Sequence, residues 1–175
     1  MKNNVITYRQ AGLPDALVLQ QVARQSFYES FAEQNTDEDM QQYLDGHFNL
    51  AQVEAELRDP RHIFILAYAG EQAVGYTKLR HVPPPEELGN SRALEMERLY
   101  VLKAFHDQKV GALLMQQGIA YAKQQAFQVL WLGVWEHNAR AIRFYERWGF
   151  ETFGSHLFIL GNDEQTDLLM KKQLD

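Results

Sequence analysis

A mixed α/β sheet is the fold class this sequence predicts, and three observations predict it. Short apolar runs of strand character recur seven times. Segments with helical periodicity fall between several of them. The stretch from 93 to 135 reads strand, helix, strand, which is the layout of a parallel crossover. At 175 residues, 46% of them apolar and 23% charged, the chain suits one folded domain spanning 1–175 with its own core.

The elements follow in order. VITYRQ (5–10) reads as a first strand. Pro14 in GLPD stands near a helix start, and Leu17, Val22, Ala23, Phe27 and Phe31 then keep helical spacing from Asp15 to about Ala32. Thr36, with Asp39 three residues on, caps a second helix to about Leu44. Leu50, Val53 and Leu57 mark a short third helix that stops near Pro60. HIFILAYA (62–69) and AVGYTKLR (73–80) flank Gly70-Glu71-Gln72 and read as a hairpin. PPPEELGN (83–90) reads as a surface loop. ALEMERLYV (93–101) is a strand, 110–126 a helix, and VLWLGVW (129–135) a strand apolar on both faces, as a central strand must be. Asn138 caps a helix running to Trp148, where Gly149 ends it. FETFGSHLFIL (150–160) and TDLLMKKQL (166–174) close the chain as a long hairpin around Gly161-Asn162-Asp163.

Composition excludes several classes. No apolar run approaches the ~18 residues of a membrane span, and MKNNVITYRQ lacks the apolar region of a secretory leader, so no membrane partner and a cytoplasmic location are expected. There is no cysteine, which removes disulfides and thiolate metal sites. No two histidines stand four apart, as a helix metal site would require, and no metal is expected. The formal net charge of −6 argues against a nucleic-acid partner. It fits a cationic substrate, and equally a small protein kept soluble by its charge.

Two segments carry chemistry. The first is HDQKVGALLM (106–115), between the 93–101 strand and the following helix. The backbone N–H groups around Gln108 to Ala112 have no partners within that helix and point toward the positive end of its dipole, so an anion can bind there. Gly111 would let a phosphate approach closely. The alternative is a plain strand-to-helix turn. The second segment is WLGVWEHNARAIRFYERWGF (131–150), with the pattern N-x-x-A-x-x-F-Y-x-x-x-G-F. Asn138 can cap its helix and still offer its amide to a ligand. Tyr145, a phenol of pKa about 10, can give a proton to a departing thiolate, or is simply a half-buried core tyrosine.

Together the two segments resemble the GCN5-related N-acetyltransferase (GNAT) superfamily. The resemblance implies the acyl-CoA N-acyltransferase fold: a mixed, mostly antiparallel sheet of about seven strands, helices on both faces, and a parallel pair (93–101, 129–135) that splays to admit acetyl-CoA. It implies that Leu99, Tyr100 and Val101 flank the pantetheine and that His106, Asp107, Gln108, Lys109, Val110, Gly111 and Ala112 hold the pyrophosphate, with Asn138 and Tyr145 beside them. The family's loop reads Gln/Arg-x-x-Gly-x-Gly/Ala. Here His106 stands for the Gln or Arg and Lys109 for the first glycine. A lysine entering the helix in helical φ/ψ keeps its N–H donor without left-handed strain, and its ammonium can pair with a phosphate. EMERLYV, the 131–150 run, GSHLFILGNDEQTDLLMKKQL and SFYESFAEQNTDEDMQQYLDGHF also resemble PaiA-type polyamine N-acetyltransferases of bacteria, which implies spermidine or spermine as acceptor. Other amines remain alternatives: a protein N-terminus, an amino sugar or an aminoglycoside. So does a regulatory protein that binds acetyl-CoA or polyamine with little turnover.

Acetyl transfer to an amine needs a proton acceptor, an oxyanion donor and a proton for the thiolate. Strand alternation sets Glu95, Glu97, Leu99 and Val101 on one face, which makes Glu97 the candidate base, or else a charge paired with Arg80 or another cation. The Leu99 N–H is the expected oxyanion donor and Tyr145 the expected acid. Tyr28, Glu33, Glu95, Glu97 and His156 are the candidate contacts for the amine. A homodimer through the C-terminal strands is carried over from the superfamily.

Overall fold

The computed structural model describes residues 4–175, so the first three residues of MKNNVITYRQ lie outside it. The strands are β1 (Ile6–Gln10), β2 (His62–Ala69), β3 (Gln72–Arg80), β4 (Ala93–Val101), β5 (Val129–Trp135), β6 (Glu151–Leu160) and β7 (Asp163–Gln173). The helices are α1 (Ala16–Phe31), α2 (Asp37–His47), α3 (Leu50–Arg58), α4 (Val110–Gln124) and α5 (Ala139–Arg147). The strands form one sheet in the order β1-β2-β3-β4-β5-β7-β6, in which only β4 and β5 run parallel. That is the mixed, mostly antiparallel seven-stranded sheet expected from the sequence.

Helix ends follow local chemistry. The Thr36 hydroxyl accepts from the Asp39 N–H at 3.1 Å, Asn49 from Gln52 at 2.8 Å and Asn138 from Ala141 at 3.2 Å. Each cap satisfies an N–H that the helix cannot, worth about 1 kcal/mol. Helix α4 stops at Gln124, two residues before the predicted 126, because Ala126 turns left-handed (φ 61°) and the Phe127 N–H reaches back to the Ala122 carbonyl. Arg9 forks onto both oxygens of Asp15 at 2.9 and 2.6 Å and so ties β1 to the start of α1.

Two apolar layers flank the sheet. On one side Val110, Leu114 and Met115 of α4 and Tyr145 of α5 pack on Leu94, Met96, Leu130 and Leu132. On the other Leu19, Phe27, Met40 and Phe48 of the first helices pack on Phe64, Leu66 and Tyr76. Along β4 the buried side chains change face partway. Leu94 and Met96 face α4, and so do Leu99 and Val101, which strict alternation forbids. A bulge explains it: Lys78 pairs with Arg98 and Leu79 with Met96, leaving Glu97 as the extra residue. The expected common face for Glu95, Glu97, Leu99 and Val101 is therefore wrong. Leu99 and Val101 lie on the α4 side, while Glu95 and Glu97 turn toward Arg80 on the other.

The bulge coincides with a parting of the sheet. β4 and β5 pair only at Ala93–Val129, Leu94–Leu130 and Glu95–Trp131, and beyond that point they separate. β4 stays bound to β3 as far as Gly75–Val101. The β4 backbone facing β5 is then free to bond something else.

Candidate active site

The parted strands open a cleft of about 820 Å³. Glu95 to Val101 form one wall, Gly133 to Trp135 the other, and the start of α4 and one face of α5 its mouth. Backbone alternation can be read from fixed points. The Leu102 N–H donates to the Val74 carbonyl at 2.8 Å, and the Tyr100 carbonyl so closely faces Gly75 that a Cβ there would stand 2.8 Å from it. Residues 100 and 102 thus spend their polar groups on β3. Those of Leu99 and the Val101 N–H point the other way, into the cleft, while the Val101 carbonyl accepts from His106.

At the mouth the polar loop behaves partly as expected. Lys109 precedes the first helical residue of α4, and the N–H groups of the first turn lack carbonyls four residues back. Lys109 itself, however, is left-handed at φ 60°, ψ 22°. The expectation of helical φ/ψ is overturned. A left-handed residue is what turns the chain from the loop into the helix, and a side chain there costs roughly 1 kcal/mol that glycine would not. Val110 is wholly buried under the helix and can offer only its backbone. Gln108 is exposed, and its own N–H is committed to the Phe105 carbonyl at 3.2 Å.

His106 has a definite local role. Its Nε2 lies 2.9 Å from the Val101 carbonyl and its Nδ1 2.5 Å from Arg140 Nη1. A guanidinium can only donate, so Nδ1 accepts and Nε2 carries the proton. The imidazole ties the end of β4 to α5 and aims a guanidinium at the loop. Lys103, Lys109, Arg140 and Arg147 all line this end of the cleft. Four cations beside free amides, in a chain of net charge −6, suit a pyrophosphate or phosphate monoester. Lys103 and Arg140 escaped the sequence reading for different reasons: Lys103 stands just before the loop but outside its motif, and Arg140 is distant from it in sequence.

Deeper in, Tyr145 lines the cleft from α5 while 8% exposed, and burial pushes its phenol well above the usual value. It is protonated at any working pH. Asn138 caps α5 and also borders the cleft. Glu97 lines the cleft but is engaged elsewhere: Lys78 Nζ stands 2.6 Å from it, with Arg80 at 3.4 Å and Arg98 at 3.8 Å. Burial raises its pKa, but Arg98, Lys78 and Arg80 outweigh that and hold it below the ordinary glutamate value. Of the two sequence alternatives, charge pairing is what the geometry displays, with Lys78 ahead of Arg80. Glu95 bonds Arg80 tightly, and burial, opposed by Arg80, keeps its carboxyl above the ordinary value.

The remaining candidates divide. His156 lines the cleft on β6 opposite Asp167 of β7. Tyr28 and Glu33 do not line it: both are exposed on the outside of the first helices. Asp167 was missed, although counting outward in equal steps from the Gly161-Asn162 turn would have set it opposite His156. Among the described residues no cluster of His, Asp and Glu could hold a metal ion, and no helix is long and apolar enough to cross a membrane.

A sheet parted beside free helix N-terminal amides, with a protonated phenol inside, suits a class of ligand: long, phosphorylated and carrying a leaving group that takes up a proton. The sequence comparisons make the class specific. The profile of the acetyltransferase (GNAT) family matches residues 20–150, and the chain belongs to that family of acetyl-CoA-dependent N-acetyltransferases. An uncharacterized N-acetyltransferase of Lactobacillus delbrueckii subsp. lactis is 32% identical over 170 residues, covering 97% of this chain and 96% of the relative. An uncharacterized N-acetyltransferase of Mycobacterium bovis is 30% identical, covering 93% and 99%. Among solved structures, the PaiA N-acetyltransferase of Thermoplasma acidophilum in complex with coenzyme A superposes with a TM-score of 0.79 at 20% identity, covering 97% of this chain and 99% of that one.

Proposed function

We propose that the chain transfers the acetyl group of acetyl-CoA to a small primary amine, with polyamines of the spermidine and spermine type first among the acceptors. The observation that carries the reading is the parting of β4 from β5 beyond the Glu95–Trp131 pair, with the start of α4 at its mouth. Acetyl-CoA supplies an activated acetyl group on a thiolate leaving group. Toward it the chain offers backbone groups of Leu99 and Val101 along the cleft, first-turn amides and Lys109, Lys103 and Arg140 for phosphate, and a Leu99 N–H where negative charge develops on the acyl oxygen. Tyr145 holds the proton that a departing sulfur needs.

The polyamine reading draws on the PaiA likeness and on three carboxylates, Glu95, Glu97 and Asp167, that border the acceptor side. Two of the three already face cations of the protein, Arg80 and Lys78. A long polycation therefore finds fewer free partners than the sequence suggests, and an amine with one reacting ammonium is served equally. The edge strand β6 has a free side on which two copies could pair, and a cytoplasmic enzyme acting on a metabolite is the setting proposed. The test is direct: incubate the protein with acetyl-CoA and spermidine and look by mass spectrometry for the monoacetylated amine. Product with spermidine supports the finer reading. Product only with non-polyamine acceptors leaves acetyl transfer and removes the polyamine.

A further inference from the structure

On the acceptor side, opposite the phosphate end, Gly133 and Trp135 of β5, His156 and Phe158 of β6, and Asp167 of β7 border the cleft, with Tyr43 of α2 above them. The ladder sets Asp167 against both Trp135 and His156, so the three side chains share one face. His156 Nε2 and Asp167 Oδ2 are 3.9 Å apart, near enough to share a charge and too far to bond each other directly. Gly133 lies beneath them. A Cβ there would stand 3.3 Å from His156 Cε1 and 3.4 Å from Asp167 Oδ2, so the absence of a side chain at 133 is what lets the pair sit over the cleft floor.

The carboxylates of this region differ in what they already hold. Glu95 is bonded to Arg80 and Glu97 is paired with Lys78. Asp167 faces no Lys or Arg within ion-pair distance among the described residues, only His156. Its side chain is 15% exposed. Burial raises its pKa and His156 lowers it, so it is a carboxylate short of a cation. Tyr43 is a titratable group near it, its phenol raised mainly by burial and, among smaller causes, by Asp167 itself. Tyr43, Trp135 and Phe158 supply aromatic surface around the pair, which suits a cation.

We propose that Asp167 and His156 form the acceptor-amine subsite: Asp167 holds the incoming ammonium, and His156 takes its proton before attack. The inference rests on the acetyl-transfer reading above and assigns the work given to Glu97 at the sequence level to a different pair. The proton step balances simply. An ammonium R–NH3⁺ gives one proton to a neutral imidazole, leaving R–NH2 with its lone pair free and an imidazolium beside the Asp167 carboxylate. The imidazolium then returns the proton to water.

The experiment measures steady-state kinetics with whichever of spermidine, spermine and putrescine the wild type acetylates fastest, together with calorimetric binding of CoA. Asp167→Asn should raise the acceptor KM about 10-fold or more, with the acetyl-CoA KM and CoA affinity unchanged. His156→Gln should lower kcat by about 10- to 100-fold and remove the acid limb of the kcat profile, which loss of packing alone does not do. Gly133→Ala should impair the acceptor KM by crowding both side chains, and it carries the test if Asp167→Asn does not fold. Unchanged acceptor KM in Asp167→Asn, or an intact acid limb in His156→Gln, overturns this subsite while wild-type turnover keeps the function. A wild type that binds CoA and acetylates none of the three amines overturns the polyamine function and this subsite with it.

Discussion

The Glu97 carboxylate stands 2.6 Å from Lys78 Nζ, and that lysine is 1% exposed. Glu56 approaches the same ammonium at 3.1 Å. A buried ammonium between two carboxylates is a structural unit, because removing either charge strands the rest in a poorly solvated place. Glu97→Gln is therefore expected to lower stability by about 1–3 kcal/mol and to leave the acid limb of the pH-rate profile in place. Its folded pKa is depressed, so its contribution is present above the unfolded value of about 4.3 and is lost as pH falls through the folded one. The variant's melting temperature should accordingly converge on the wild type's in strong acid. A vanished acid limb with unchanged stability would restore Glu97 as the base.

Among the described residues, two other than glycine take positive φ, Lys109 at the cleft and Ala126 at the end of α4. They make a matched pair. Ala126→Gly should raise stability by up to about 1 kcal/mol, with kinetics untouched. Lys109→Gly should gain similarly, yet raise the acetyl-CoA KM, because an ammonium leaves the phosphate end. Melting curves and acetyl-CoA titrations on both variants check this. Equal acetyl-CoA KM in Lys109→Gly and wild type would confine Lys109 to the turn.

Gly111 has room. A Cβ there would lie 3.7 Å from Phe144 and about as far from everything else, an ordinary contact. Gly111→Ala, near the start of a helix, is expected to leave the melting temperature unchanged or slightly higher. If the glycine serves close approach by phosphate, CoA affinity should fall while the fold does not suffer. Calorimetry with CoA decides, and unaltered affinity would reduce Gly111 to a helix residue.

Tyr145→Phe keeps the ring and removes only the hydroxyl, so packing against Phe144 and Phe150 survives. We expect kcat to fall by about 100-fold with both KM values little changed. Because burial holds the phenol above its usual pKa, Tyr145 should contribute no alkaline limb below pH 10 in the wild type. Wild-type turnover in the phenylalanine variant would remove it as proton donor.

Much of this was legible in the chain. The spans 93–101 and 129–135 coincide with β4 and β5, and the Thr36 and Asn138 caps are present. Strand patterning, glycines and capping residues are local signals, and they survive folding. What escaped was non-local. The bulge at Glu97 depends on how β3 meets β4, and nothing within ALEMERLYV announces it. Nothing within AVGYTKLR marks Lys78 as buried, and it is buried because Glu56 and Glu97 arrive from other elements. Lys109 defeats the usual inference that a non-glycine residue avoids left-handed φ, and the family's glycine at that position now has its physical reason. Tyr28 and Glu33 were drawn in by residue type alone, and helix orientation sends them outward.

The most direct test of the central claim is release of free CoA from acetyl-CoA, followed with a thiol reagent, across spermine, spermidine, putrescine, aminoglycosides and short peptides. An N-acetyltransferase for small amines predicts saturable release with at least one small amine, well above buffer and dependent on its concentration. Release that no small amine in the panel raises above the buffer rate would contradict it.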